Sequence, residues 1–106
     1  AYMIISGGVN IYPQEAENLL LNHPSVADAA VFGIPDTEMG EQMKAVIEPV
    51  AGVSGDEALA TELIAFCHRH LSSIKCPRSV DFMAVLPRTP TGKLLKKPLR
   101  DSYWKS

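Results

Sequence analysis

Apolar and polar positions change period several times along this chain, and each change marks an element. Met3-Ile4-Ile5-Ser6 and Val9-Asn10-Ile11-Tyr12 are short, β-branched-rich runs separated by Gly7-Gly8. Two glycines between such runs predict a β-hairpin, because tight hairpin loops need backbone of positive φ. Pro13 suits the first position of a helix. After it Ala16, Leu19 and Leu20 recur at helical spacing, while Glu15 and Glu17 stay polar. Asn22-His23-Pro24 stops that helix.

Residues 26–34 are almost continuously apolar and predict a buried strand, closed by Gly33 and Pro35-Asp36. Residues 42–50 alternate in part, with Met43, Ala45 and Ile47 against Lys44 and Glu48, and read as its partner strand. A loop over 51–55 follows, and Ser54 with Glu57 has capping-box spacing. The helix so opened aligns Leu59, Leu63, Phe66 or Cys67, and Leu71 on one face. Residues 79–86 predict a third strand, with Val80, Phe82, Ala84 and Leu86 on one side. Residues 96–104 predict a short basic helix with Pro98 in its first turn. The order gives an α+β fold: an N-terminal β-hairpin, then a small three-stranded sheet flanked by helices. It is too short, and alternates too little, for a doubly wound nucleotide fold.

At 106 residues the chain is one domain with one modest core. No eighteen-residue apolar run spans a membrane, and no basic-then-apolar segment opens the chain. Cys67 and Cys76 form no CxxC pair and read as reduced thiols of a cytoplasmic protein. His68 and His70 stand two apart on a predicted helix and face apart, so they make no metal pair. The net charge of −2 hides a polarity: residues 1–67 hold one base against ten acids, residues 68–106 nine bases against two. A basic end suits phosphates or an acidic surface; it also suits folding back onto the acidic half. Without interleaved aromatics it does not suit nucleic acid.

The segment Leu86-Pro87-Arg88-Thr89-Pro90-Thr91-Gly92-Lys93-Leu94 holds the sharpest chemistry. Pro87 and Pro90 fix their own φ and push the preceding residues into extended conformations. Gly92 supplies freedom at positive φ. Such a loop presents Lys93 and does not pack it, and a compact ammonium so held suits a phosphate or carboxylate. A P-loop reading fails, since Leu94 stands where that motif needs Ser or Thr and no glycine lies five residues before Gly92. Glu15 and Glu17 are no catalytic pair either: two apart on a helix, they diverge.

Ile4-Ile5-Ser6-Gly7-Gly8-Val9-Asn10-Ile11-Tyr12-Pro13-Gln14-Glu15-Ala16-Glu17 resembles the start of the C-terminal domain of the adenylate-forming (AMP-binding) enzymes, most closely the acyl-CoA synthetases. His23-Pro24-Ser25-Val26, Val31-Phe32-Gly33-Ile34-Pro35-Asp36, Gly40-Glu41, Lys44-Ala45-Val46, Lys75-Cys76-Pro77-Arg78 and the Lys93 loop continue the resemblance in register. Ala16 departs from it, standing where the family usually has isoleucine or valine.

The resemblance implies a lid over residues 1–106 that serves a large N-terminal AMP-binding domain, which these residues do not contain. It implies a two-step reaction using ATP, Mg²⁺ and coenzyme A, in which a carboxylic acid, fatty or aromatic, becomes an acyl-adenylate and then a thioester. It assigns Lys93 the catalytic place in the first step, with Pro87, Pro90 and Gly92 positioning its loop. It assigns Ser6, Gly7 and Gly8 to the pantetheine channel of the second step, and offers Arg69, Lys75 and Arg78 as contacts for coenzyme A phosphates. No metal ligand and no tightly bound cofactor is expected within this chain, which is expected to be inactive alone. The complete enzyme is expected in the cytoplasm, with peripheral membrane association open to it. Two rival readings share these residues: a carrier-protein-loading adenylation domain, and an interaction domain that kept the fold without catalysis.

Overall fold

The computed structural model describes residues 3–105; Ala1, Tyr2 and Ser106, the outermost residues of the expected lid, lie outside them. Strands β1 (Ile4–Ser6) and β2 (Val9–Ile11) form the hairpin, followed by helix α1 (Gln14–Leu20). Strands β3 (Val26–Asp36) and β4 (Gly40–Pro49) pair antiparallel along almost their whole length. Helix α2 (Glu57–His70) crosses back to β5 (Ser79–Phe82), which lies parallel to β4, and α3 (Lys96–Trp104) closes the chain. The hairpin continues the same sheet: Ser6 registers with Gly40, so all five strands are joined.

The near-continuous apolar run of β3 follows from cover on both faces. Ala29, Val31, Ala45 and Ile47 point into one core with Ile4, Leu20, Leu63 and Cys67 from the hairpin, α1 and α2. Ala30, Phe32 and Val46 point the other way, against Leu86, Leu94, Leu99 and Tyr103. A strand buried on both sides loses the polar alternation of a half-exposed one. The α1–α2 layer, the sheet, and the layer of α3 with the Lys93 loop are therefore stacked in that order.

Four local expectations are corrected. The cap of α2 is Asp56 and not Ser54: its carboxylate accepts from the Leu59 amide at 2.9 Å. Strand β5 ends at Phe82, so Ala84 and Leu86 leave its ladder, and Leu86 buries in the core opposite the one Val80 and Phe82 support. Strand β3 runs through Pro35 to Asp36 instead of closing at Gly33. Pro13 sits at the cap of α1, one position earlier than expected. The face of α2 is as expected, with Leu63 and Cys67 buried and Leu59 and Leu71 packed beside them.

Candidate functional site

Lys93 lies on an exposed loop that bonds mainly to itself. Thr89, Pro90, Thr91 and Gly92 make a turn closed by the Gly92 amide on the Thr89 carbonyl at 2.8 Å. Gly92 leaves the turn at φ +90°, a conformation L side chains resist. The Thr89 amide then donates to the Lys93 carbonyl at 2.8 Å, and the Lys93 amide to Thr89 Oγ1 at 3.0 Å. Below them Arg88 bridges Leu94, and the Leu95 amide reaches the Pro87 carbonyl at 2.9 Å. The loop is a miniature hairpin with Lys93 near its tip. No side-chain hydrogen bond or ion pair holds the Lys93 ammonium among the described residues.

Arg88 ties this loop to the sheet. Its Nε and Nη2 donate to the two carboxylate oxygens of Asp28, each at 2.7 Å, and its Nη1 donates to the Gly92 carbonyl at 2.5 Å. Asp28 stands at the start of β3 on the face that carries Ala30 and Phe32. The Arg88 hydrogen bonds hold its carboxyl below the ordinary aspartate range, against the upward pull of burial.

Ser6, Gly7 and Gly8 gather at the far end of the sheet. Gly7 (φ +56°) and Gly8 (φ +80°) form the loop between β1 and β2, and the Gly7 amide donates to the Met39 carbonyl at 3.0 Å. A Cβ on Gly7 would come within 2.7 Å of Met39 Cε, whereas one on Gly8 would meet nothing within 4 Å. Met39 belongs to the β3–β4 turn, which Asp36 shapes by accepting from the Glu38 and Met39 amides at 2.8 and 3.1 Å. Those backbone bonds, Met39 first, lower the Asp36 pKa. Ser6 and Arg78 line a groove of about 370 Å³ beside this turn, together with Met39, Met43 and His68.

Of the three further basic candidates, two lie by the hairpin. Arg78 is at the hairpin end, with Nη1 3.5 Å from Asp36 Oδ2. Lys75 lies beside β2, its Nζ 3.2 Å from Glu15 Oε1. Arg69 sits apart on α2, 3.0 Å from Glu62 and stacked near the Phe66 ring. Each is paired with an acidic side chain of this chain. Glu15 is structural in this way, and its neighbour Glu17 is buried, accepting from the Val31 amide at 2.7 Å. Residue typing passed over Asp28, Arg88 and Glu17. The charge polarity was the signal that held them: Arg88 to Asp28, Lys96 to Glu17, Arg100 to Glu41, Lys75 to Glu15 and Arg78 to Asp36 all join the basic half to the acidic half.

The Lys93 loop is thus fixed at the Asp28 end of β3 and the glycine hairpin at the Asp36 end. Eight residues of extended strand separate these two, about 27 Å at the usual rise.

The α+β domain thus carries an unpaired loop lysine at one end of its sheet and a bare-backbone hairpin at the other. The chain belongs to the AMP-binding enzyme C-terminal domain family, which matches residues 15–93. It is 47% identical over 103 residues to a feruloyl-CoA synthase of Amycolatopsis, covering 95% of this chain and 20% of that enzyme. It is 39% identical over 101 residues to the long-chain-fatty-acid–CoA ligase FadD13 of Mycobacterium tuberculosis, covering 95% and 19%. The crystal structure of an acyl-CoA synthetase from Brucella canis superposes with a TM-score of 0.89 at 40% identity, covering 95% of this chain and 19% of that one. The chain spans about a fifth of the length of the relatives it matches.

Proposed function

We propose that this chain is the mobile C-terminal domain of an acyl-CoA synthetase that activates a fatty or aromatic acid with ATP and transfers it to coenzyme A. The observation that carries the reading is Lys93: an exposed ammonium on a clamped backbone, with no internal counter-ion among the described residues. In the first step a carboxylate oxygen attacks the α-phosphorus of ATP, the bond to the bridging oxygen breaks, and pyrophosphate leaves with the electron pair. Two anions must approach, and Lys93 lowers that barrier by sitting between them. In the second step the thiol sulfur of coenzyme A, giving up its proton, attacks the acyl carbon and AMP departs. Gly7 and Gly8, with Ser6 beside them, offer side-chain-free backbone to the thin pantetheine arm. The ends of the sheet serve the two steps in turn, as the domain presents one and then the other to the N-terminal AMP-binding domain.

Mg²⁺ bound with the nucleotide would supply charge neutralisation on its phosphates. The described residues include no group of three or more His, Cys, Asp or Glu able to hold a metal ion, so no step is assigned to a metal on this chain. No helix among them is long and apolar enough to cross a membrane; the cytoplasm is the proposed location.

The test uses the full-length protein that contains this chain, with ATP, Mg²⁺ and hexanoate, palmitate, benzoate or ferulate. Pyrophosphate release with at least one acid, followed by thioester formation on coenzyme A, is expected. No release with any of them overturns the reading. Transfer to a pantetheinylated carrier protein but not to coenzyme A moves it to the carrier-loading class. Pyrophosphate release by the 106-residue chain alone contradicts the proposal that another domain builds the nucleotide pocket.

A further inference from the structure

We infer that Asp28 and Arg88 are positioning residues for Lys93, a clamp that holds the loop for the acid-activating step and is idle during thioester formation; this rests on the reading of Lys93 given above. Every arm of the Arg88 guanidinium is used. Nε and Nη2 grip Asp28 fork to fork, and Nη1 grips the carbonyl of Gly92, the residue whose peptide bond leads into Lys93. The orientation of that peptide sets where the Lys93 side chain departs from the loop. Gly92, at φ +90° and with open space around its Cα, is where the loop would otherwise pivot.

The base of the clamp is anchored in the sheet. The Asp28 side chain is 13% exposed and takes a further hydrogen bond from the Ala29 amide at 2.9 Å. It opens the continuously paired stretch of β3, just after a register shift between Val26 and Asp28, and the Ala29, Ala30, Val31 and Phe32 that follow are buried. Placement of the charge is thereby referred to the sheet and not to the loop. Lysine could not replace Arg88, because one ammonium cannot hold both carboxylate oxygens and a carbonyl on its other side. The Arg88 side chain is 40% exposed, and ion pairs at such sites add little to stability. A clamp of this kind matters chiefly through geometry, where about 1 Å of misplacement can cost about 100-fold in rate.

The full-length protein is compared with its Asp28→Asn, Arg88→Lys and Lys93→Ala variants, and with Asp28→Asn combined with Lys93→Ala. The acid is whichever of palmitate, hexanoate, benzoate and ferulate the unmodified enzyme activates fastest. Two rates are read: single-turnover pyrophosphate release without coenzyme A, and consumption of the pre-made acyl-adenylate by coenzyme A. Asp28→Asn and Arg88→Lys are each expected to slow pyrophosphate release about 10- to 100-fold and to leave adenylate consumption within about twofold. Asp28→Asn is expected to add no further loss once Lys93 is alanine, because it acts through that side chain. Arg88→Lys keeps the charge, so it serves if Asp28→Asn folds poorly. Equal loss in both half-reactions, or a loss that adds to that of Lys93→Ala, overturns the inference in favour of a plain structural role. So does unchanged pyrophosphate release in both clamp variants; if Lys93→Ala still abolishes release, the functional reading survives. Unchanged release in Lys93→Ala overturns both.

Discussion

Lys96 places its ammonium 2.7 Å from the buried carboxylate of Glu17, which also accepts from the Val31 amide at 2.7 Å. One carboxylate thereby joins the first helix, the edge strand β3 and the opening residue of the last helix. Both side chains are largely withdrawn from water, at 16% and 9% exposure, so losing the charge leaves a partner poorly compensated. Glu17→Gln is expected to destabilise the chain by about 2 kcal/mol, seen as a lower midpoint in thermal or urea unfolding. Glu15→Gln is the control: its pair with Lys75 is half exposed on each side, and the change is expected to cost under about 0.5 kcal/mol. Equal losses in the two variants would contradict the assignment of Glu17 as the tie.

Lys93→Ala in the full-length protein is expected to reduce pyrophosphate release about 100- to 1,000-fold, the range lost when one preorganised charge-stabilising group is removed. Consumption of pre-made acyl-adenylate by coenzyme A is expected to continue. Unfolding of the isolated chain should be unaffected, since the ammonium holds nothing else in place among the described residues.

Gly7→Leu is expected to do the reverse. Its side chain would meet Met39 and carry a positive φ that L residues resist, at a cost of about 1–2 kcal/mol. It would also fill the space proposed for pantetheine. Thioester formation should fall while pyrophosphate release without coenzyme A persists. Full thioester activity in this variant would remove the hairpin from the channel.

Asp28 makes a small contribution to acid sensitivity, beside the other lowered carboxyls Asp36, Glu62, Asp81 and Asp101. Arg88 lowers the folded-state pKa of Asp28, so its contribution is present above the unfolded aspartate value of about 3.9 and is lost as pH falls through the lower folded value. Asp28→Asn should flatten the pH dependence of unfolding below about pH 5 and leave its slope near neutrality unchanged. An unaltered acid limb would show that the pair does not couple to folding.

The thiols are expected to stay silent. Burial pushes Cys67 up to about 12 and raises Cys76 as well. Neither should react with an aromatic disulfide reagent at pH 8 in the folded 106-residue chain, and both should react in denaturant. Rapid native labelling would contradict the packing of α2 against the sheet.

The hairpin, the three helices and the β3–β4 pair were legible because their signals are local: adjacent glycines, helical spacing and runs of β-branched residues. The turn that carries Lys93 was legible for the same reason, as prolines and glycine are local signals, but its tie to the sheet through Arg88 and Asp28 was not. Asp28, Glu17 and Lys44 were not. Each looks like a polar position facing water, yet partners 60, 79 and 37 residues away cover them. Lys44 is buried against Asp81 at 3.0 Å, below the Tyr103 ring. No window of sequence contains both members of such pairs. Only the unequal charge of the two halves hinted that they would meet. Leu86 was misplaced for a related reason: the ladder ends at Phe82, and alternation extrapolated past a strand's last hydrogen bond has no physical basis.

Because the two loops hang from opposite ends of one stiff pair of strands, the distance between them behaves as a fixed ruler. On the proposed function, a compound wedged at the glycine end of the full-length enzyme would therefore strand the lysine far from the nucleotide. It would inhibit acid activation without competing with ATP, acting from the site proposed for the pantetheine arm.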